Sequence, residues 1–512
     1  MSGRAEALER PLPAWEVGER TRASLLLLAG ALALGVLGNA LFQGAGLGLN
    51  APLWVAALLA VAALLARRTG TELAGGGRWM AVPALGFAAA LAWRASPALA
   101  ALNVLAVGTA LVLGAWRARG GELGNTVLGR WLLGVAATVF HAAVAPLVLV
   151  FSRVQWRSLA PAGRSARAVA VARGVLLALP LLLVFQALFA SADPVFGEAV
   201  RGLFAWGPAE LAEDAAMTVF WSWAAAGVLW AALQAPEGEV DTRGLPRPRL
   251  GATEIATVLA LLDALFGAFV AMQSRYLFGG QAWVSGSPEL GWGEYARQGF
   301  FELVAVAALA LPLLLALNAL LRERGGRGER AFRVLAAVMV ALLFVVMASA
   351  VQRMRLYQAA YGLTELRLYT LAFMAWLGAV LAWFAATVLR GAPGRFPRGA
   401  VLAGFAVLAA LNAINPDAWI ARTNLERAER TGKLDAAYLA SLSADAVPTV
   451  AGMVAGMELG APDACHLRRM LSGGRSERGD WRGWNWSRSR AERIALHAPG
   501  AALGPPCPRR GS

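Results

Sequence analysis

The sequence predicts an all-α, polytopic transmembrane helix bundle of about twelve spans, followed by a small C-terminal helical extramembrane segment. Hydrophobic residues make up 58% of the 512-residue chain and charged residues only 15%, whereas a soluble domain carries about 25% charged residues. The apolar runs recur along most of the chain, and each is continuous over about twenty residues, which is enough to cross a bilayer as a helix. A β-barrel is a poor alternative, because its strands alternate apolar and polar residues over about ten positions.

The apolar runs divide the chain into three parts. Residues 1–22 form a polar leader, and a charged leader of this length favours an uncleaved anchor over a signal peptide. Residues 23–415 hold the spans, and residues 416–512 form the C-terminal segment, in which Gly432 should separate two short helices ahead of an Arg/Trp-rich tail. The expected spans lie near 23–41, 51–66, 79–93, 97–116, 131–151, 174–190, 215–234, 253–273, 298–321, 334–352, 368–389 and 399–414.

The distribution of Arg predicts an orientation for the later spans. Alternate connecting segments are rich and poor in Arg: 16 Arg lie in 152–173, 235–252, 322–333 and 390–398, against 6 in 191–214, 274–297 and 353–367. Because translocating Arg is costly, the first set should be cytoplasmic and the region after residue 415 extracytoplasmic. The first five runs do not fit, since five crossings from a cytoplasmic N-terminus would place 152–173 outside.

Asp263 is the most unusual single residue, because it lies near the middle of the apolar string LALLDALFGAFV. An ionised carboxylate at this depth is costly, so its side chain should face the bundle interior, a partner or water. A relay for protons or cations is one interpretation. The other is a structural hydrogen bond between helices, which we favour from the sequence alone.

A second group of candidates lies where a span begins on the predicted outer side. Glu294, Arg297 and Glu302 flank aromatic residues there. Glu302 could pair with Arg297 or with another helix. Anchoring at the membrane interface accounts for most of this segment.

The third group follows the long run that ends near residue 352. Gly362 and Thr364 predict a tight reversal between two spans, as a C-cap and an N-cap respectively. Arg on a loop expected outside opposes the usual bias, which suggests a specific task such as binding an anionic headgroup or substrate, or pairing with a carboxylate. The candidates are Arg353, Arg355, Tyr357, Glu365 and Arg367, with Asn415 and Asp417 after the last span.

Several function classes lack their usual residues. No GxSxG, HExxH or Walker-A pattern is present, and no catalytic, cofactor or metal site is predicted. Cys465 and Cys507 could pair if the tail is extracytoplasmic, although two unpaired thiols are the plainer expectation. Trp481, Trp484 and Trp486 with their neighbouring Arg fit docking on lipid headgroups better than stacking on nucleic acid.

Six strings occur in order along the chain. They are LPLLLVFQALFASADPVF, GEYARQGFFELVAVAAL, QRMRLYQAAYGLTELRLYTLAFMAW, INPDAWIARTNLERA, GKLDAAYLASLSADAVP and DWRGWNWSRSRA. Together they resemble the bacterial multi-pass membrane family catalogued as domain of unknown function 4173, from about residue 30 to 497. The resemblance implies a protein of the bacterial cytoplasmic (inner) membrane and brings no activity and no catalytic residues.

Three functions follow as hypotheses. The first is a protein, not an enzyme, that binds a ligand, an anionic lipid or a protein partner at its outer face. The second is a proton- or ion-coupled transporter with Asp263 and Glu302 in a polar pathway. The third is an envelope enzyme acting on a lipid-linked substrate, which would need Arg353, Arg355, Glu365 and Asp417 to converge on one cavity.

Overall fold

The computed structural model describes residues 14–71, 75–121, 128–153, 208–234, 250–278, 300–321, 326–454, 460–472 and 480–497, with isolated residues between 171 and 198. Across these residues the chain is helical, and its one β-bridge joins Leu250 to Leu321. Ten of the described helices are long and apolar enough to cross a membrane. The all-α, multi-pass fold class is therefore confirmed.

The helices follow one another with short turns. Those of the N-terminal half are α1 (Ala14–Phe42), α2 (Asn50–Thr69), α3 (Gly75–Arg78), α4 (Ala81–Trp93), α5 (Pro97–Ala118), α6 (Leu128–Val148) and α7 (Pro208–Leu233). The later spans are α8 (Ala252–Phe278), α9 (Phe300–Leu320), α10 (Arg327–Tyr361), α11 (Glu365–Thr387) and α12 (Phe396–Ile414). The C-terminal helices are α13 (Pro416–Thr431), α14 (Ala436–Ser441), α15 (Val447–Val454), α16 (Ala461–Ser472) and α17 (Trp486–His497).

The spans form two packed groups joined by α12. One core lies among α8 to α11 around Phe332 and Phe384, and the other lies among α1, α2, α4, α5, α6 and α7. Asn412 of α12 exchanges two side-chain hydrogen bonds with Asn103 of α5, at 3.0 and 2.9 Å. Paired amides satisfy each other in an apolar interior, so they fix how these two spans meet.

Small residues let α1 approach α7 closely. A Cβ atom built on Gly35 would lie 1.8 Å from Ser222 Oγ and 2.6 Å from the Thr218 carbonyl oxygen. Only glycine fits such a crossing, as is common between membrane helices. By contrast, no atom lies within 4 Å of a Cβ built on Gly86 of α4, so that position opens onto free space.

Helices α13 to α17 form a separate C-terminal unit, which comprises the described residues from 416 onward. Its core includes Ile420, Leu425, Leu439 and Leu467, and the α10–α11 turn contributes Leu363 to the same core. Gly432 ends α13 in the left-handed conformation, with φ of +68°, as the sequence predicts. The unit therefore packs on the ends of the spans.

Contacts to this unit define one end of the bundle, here called the docking face. The α1–α2, α4–α5 and α10–α11 turns all lie there. At the other end, the opposite face, Ser24 near the start of α1 lies 3.4 Å from Gln234 after α7, and Asn39 bonds to Asp214 near the start of α7 at 3.1 Å. Thus α1 and α7 run antiparallel, and α1 starts on the opposite face.

These directions locate the parity problem left by the sequence. The run near 79–93 crosses as the 13-residue helix α4, with Met80 packed on Gly114 near the end of α5. The first four runs therefore alternate in direction. The unresolved crossing lies between residues 128 and 207, where the predicted span at 174–190 falls largely outside the described residues.

Candidate functional site

The docking face is held together by polar side chains of the C-terminal unit that cap the turns between spans. Asp445 is 2% exposed, and its Oδ2 accepts hydrogen bonds from the backbone N–H groups of Ala95 and Ser96 at 2.7 and 2.8 Å. These amides precede α5, whose first N–H groups lack helical partners. A carboxylate there also interacts favourably with the helix dipole, so Asp445 caps α5 from another part of the chain.

The carbonyl groups at the end of α4 are satisfied by the same unit. Asn485 Nδ2 donates to the carbonyl oxygens of Leu91 and Arg94 at 2.9 and 2.8 Å. Ser487 Oγ lies 2.9 Å from the Trp93 carbonyl oxygen and also contacts Asp445 Oδ1. The α4–α5 turn is thus paired on both sides by residues more than 300 positions away in sequence.

Arg94 ties this turn to the end of α12. Its Nε donates to the Asn412 carbonyl oxygen at 2.7 Å, and Nη1 lies 3.7 Å from Asp445 Oδ1. The side chain is 9% exposed, and burial lowers the pKa of Arg94 while the neighbouring Asp445 opposes that shift. We call Arg94, Ser96, Asp445, Asn485 and Ser487 the latch.

The other two turns of the docking face receive equivalent caps. At the α10–α11 turn, Asn424 accepts from the Leu363 N–H at 2.7 Å and donates to the Leu363 carbonyl at 2.8 Å. At the α1–α2 turn, the N–H of Leu49 donates to the Trp484 carbonyl at 2.9 Å, and Arg482 donates to the Ala40 carbonyl at 2.6 Å. Three turns from both helical groups are therefore fastened to one unit.

Two predicted candidates, Glu365 and Asp417, meet beside the latch. Asp417 is fully buried, and its Oδ2 accepts from the Ser443 N–H at 3.1 Å. Its Oδ1 has no hydrogen-bond donor among the described residues other than the Glu365 carboxyl group, which is near enough to share a proton with it. Burial raises the pKa of Asp417, and the charge of Asp445 adds to the shift.

The remaining predicted residues lie apart from this pair. Arg367 stacks on the ring of Tyr357 at 4.0 Å and donates to the Gly362 carbonyl. Arg353 is half-buried and Arg355 exposed on α10, and Glu302 is exposed in the first turn of α9. Glu294 and Arg297 lie outside the described residues.

Two of the smaller predictions meet the structure differently. Gly362 ends α10 with φ of +79°, as expected, but the Thr364 side chain makes no capping hydrogen bond at α11. The expected N-cap is therefore wrong. Asn415 has φ of +59° and accepts from the Ala418 N–H at 3.3 Å, so it ends α12 and begins α13.

Asp263 stays a candidate by its position in α8. Its side chain is half-buried, and neither carboxyl oxygen has a hydrogen-bond partner among the described residues. The structural hydrogen bond that we favoured from the sequence is absent from that part of the chain. An unpaired carboxyl group at mid-membrane depth is rare and costly.

The tail corrects two expectations. Cys465 is disulfide-bonded, so the expectation of two unpaired thiols is wrong; Cys507, the other cysteine, lies outside the described residues. Arg482 and Arg488 bind span-turn carbonyl groups, whereas the sequence predicts contacts with lipid headgroups. The Trp side chains of this segment do remain exposed, by 42 to 61%.

A cleft of about 470 Å³ opens within the C-terminal unit, between α14, α15, α16 and α17. Small side chains, Ala440, Ala444 and Ala491 among them, leave the space. His466 and Arg469 of α16 line the cleft, and no carboxylate of the described residues does. Within the same part of the chain, no cluster of three His, Cys, Asp or Glu side chains is placed to hold a metal ion.

Ten apolar spans with a latched helical unit on one face define a multi-pass integral membrane protein. The chain belongs to the family described as Domain of unknown function (DUF4153), whose model matches residues 81–453. The number 4173 suggested by the short strings is therefore wrong, because such strings at span ends indicate the kind of family and do not separate one number from another. No curated protein and no solved structure matches the chain.

The matched region bears on which contacts belong to the family's fold. It begins at α4 and ends in α15, so it includes Arg94, Asp417 and Asp445. Asn485 and Ser487 lie beyond it. The carboxylate half of the latch is thus inside the family region, and the amide and hydroxyl half is in the tail.

Proposed function

We propose that this protein binds a small anionic ligand, bearing a phosphate or a carboxylate group, in the cleft of its C-terminal unit at the extracytoplasmic face of the membrane. The cleft itself is the observation that carries the proposal. Its volume of about 470 Å³ falls in the range of roughly 300–1,000 Å³ that small-molecule sites occupy. The latch supports this role, because a unit fastened at three turns holds its cleft in a fixed shape.

The chemistry of the lining favours an anion. Arg469 offers a guanidinium group suited to phosphate and carboxylate oxygens, and His466 lies one helical turn earlier on the same side of α16. Among the described residues no acidic side chain lines the cleft, so its lining is positively charged. The alanine walls leave room for the uncharged part of the ligand.

Two observations support the extracytoplasmic location. The opposite face is rich in Arg, with Arg67, Arg68, Arg78, Arg117, Arg330, Arg333, Arg390 and Arg398 near the ends of its helices. That bias is typical of cytoplasmic ends. The disulfide at Cys465 is typical of an oxidising compartment.

The test is stabilisation of the purified full chain by inorganic phosphate and by acetate, measured as the shift of the thermal unfolding midpoint. A ligand at 100 times its Kd should stabilise the native state by about 2.7 kcal/mol. Arg469→Gln and His466→Gln should each lower the affinity about tenfold, which corresponds to about 1.4 kcal/mol.

Arg490→Gln is the matched control, because Arg490 is exposed on α17 and does not line the cleft. It should leave the ligand-dependent shift unchanged. If neither anion stabilises the wild-type protein, or if Arg490→Gln weakens the shift as much as Arg469→Gln, then the cleft is not an anion site.

A second candidate function is proton- or ion-coupled transport through Asp263, supported by the absence of hydrogen-bond partners for both of its carboxyl oxygens among the described residues. Asp263→Asn removes the titratable group with little change in shape. We expect this variant to fold with wild-type stability and to abolish a proton flux that wild-type protein produces in reconstituted liposomes. Equal flux from both proteins would exclude a relay at this residue.

A further inference from the structure

A second, larger groove lies between α4 and α12, on the outer surface of the bundle. Its volume is about 1230 Å³. The rings of Phe87 and Phe405 meet at 5.4 Å across the gap between the two helices, and the exposed glycine Gly86 lies beside them with no atom near its Cβ position. The groove is therefore an apolar channel along the height of two spans.

The ends of the groove carry the residues typical of membrane interfaces. Trp79 and Trp93 line its two ends, with exposures of 74% and 42%. Helix α4 between them is 13 residues long, or about 20 Å at about 1.5 Å per residue. That height exceeds one bilayer leaflet of about 15 Å, so an acyl chain could lie along it.

Charge distinguishes one end from the other. Arg117, in the last turn of α5, and Arg398, in the first turn of α12, both line the groove at the opposite face. The Nε of Arg117 is buried and has no hydrogen-bond partner among the described residues. Within that part of the chain, no acidic side chain lines the groove. Two guanidinium groups from different helices thus converge where a lipid headgroup would lie.

We infer that this groove is a binding site for an anionic phospholipid, with its acyl chains along α4 and α12 and its phosphate on Arg117 and Arg398. An apolar groove alone would accept any lipid or another helix. The pair of Arg at headgroup height supplies the charge complementarity that favours an anionic lipid. The site is independent of the cleft in the C-terminal unit, because it lies at the other end of the bundle.

The experiment counts lipids bound to the full chain by native mass spectrometry, in a mild detergent, during titration with phosphatidylglycerol or with phosphatidylcholine of the same acyl chains. Wild-type protein should prefer phosphatidylglycerol. Each basic residue near a headgroup contributes about a fivefold preference, so Arg398→Gln should reduce the preference about fivefold and the double variant with Arg117→Gln about 25-fold. Gly86→Leu should weaken the binding of both lipids, because it fills the groove without touching the Arg residues.

Arg395→Gln is the matched control, since Arg395 is exposed on the same face and does not line the groove. It should retain the wild-type preference. Because Arg398 is exposed, Arg398→Gln tests the idea even if the double variant fails to fold. The inference is overturned if Arg398→Gln keeps the full preference, if Arg395→Gln loses as much, or if Gly86→Leu binds both lipids normally. A wild-type dimer that Gly86→Leu converts to monomers would show instead that a second copy fills the groove.

Discussion

Replacing Asp445 with Ala should release the C-terminal unit from the spans. The substitution removes the acceptor for the Ala95 and Ser96 N–H groups and the anion beside Arg94, while all three groups stay buried. Removing one partner of a buried ion pair costs about 3–5 kcal/mol. Arg94 keeps its contact with the Asn412 carbonyl, so we expect a loss near the lower end, about 3 kcal/mol in the free energy of unfolding.

Hydrogen exchange gives the most direct measurement. The amides of Ala95 and Ser96 should lose their protection in the Asp445→Ala variant, and limited proteolysis should begin to cut within the C-terminal unit. Asp445→Asn, which keeps one carbonyl acceptor, should show an intermediate effect.

Asp435→Ala serves as the control for this prediction. Asp435 caps α14 by accepting from the Tyr438 N–H at 2.9 Å, in an exposed setting within the same unit. Loss of such a cap costs about 1 kcal/mol, and the protection of the Ala95 and Ser96 amides should not change. Equal effects from the two variants would mean that Asp445 does not hold the unit to the spans.

The spans could be predicted from sequence because their signal is local. A run of about twenty apolar residues must satisfy its backbone groups as a helix in lipid, whatever the rest of the chain does. The same holds for Gly432 and Gly362, where a left-handed conformation favours glycine. The site candidates Glu365 and Asp417 were found for a similar reason, since a carboxylate next to an apolar run is conspicuous.

The latch could not be predicted in this way. Arg94 and Asp445 are 351 positions apart, and neither looks unusual beside its own neighbours. Asp445, Asn485 and Ser487 do lie within two of the strings that carried the family resemblance, but a string does not indicate which backbone groups its side chains cap. Only the fold brings the α4–α5 turn to these residues.

The number of crossings in the first half resisted prediction for a related reason. Helix α4 has 13 residues, which is short for a span of about 20. It can run beside α5 because Gly114 lets Met80 pack closely on that helix. A hydropathy pattern contains no information about that contact.

Replacing Asp417 with Asn should make the stability of the protein less dependent on pH. Burial raises the pKa of Asp417 in the native state, so the native state holds this proton more tightly than the unfolded chain does. The associated stability is fully present below the ordinary carboxyl pKa of about 3.9 and is lost as the pH rises through the native pKa. Wild-type protein should therefore become less stable as the pH rises from about 4 through the raised native pKa.

The Asp417→Asn variant carries no ionisable group at this position, and its new amide can still accept from the Ser443 N–H while donating to the Glu365 carboxyl group. We expect this substitution to flatten the pH dependence. Above the native pKa it should exceed wild-type stability by about 1–3 kcal/mol, the cost of leaving a buried polar group without its partner. Thermal unfolding of the full chain, followed from about pH 4 to about pH 8, provides the measurement.

Asp435→Asn is the control for this second prediction, and it should leave the wild-type slope intact because that carboxylate is exposed. The opposite outcome for Asp417→Asn would be a steeper slope, or a loss of stability at the alkaline end of the range. Either result would show that the native protein requires the ionised carboxylate at this position. A charge-dependent role of the Glu365–Asp417 pair would demand that ionised form, whereas a shared proton demands the neutral one.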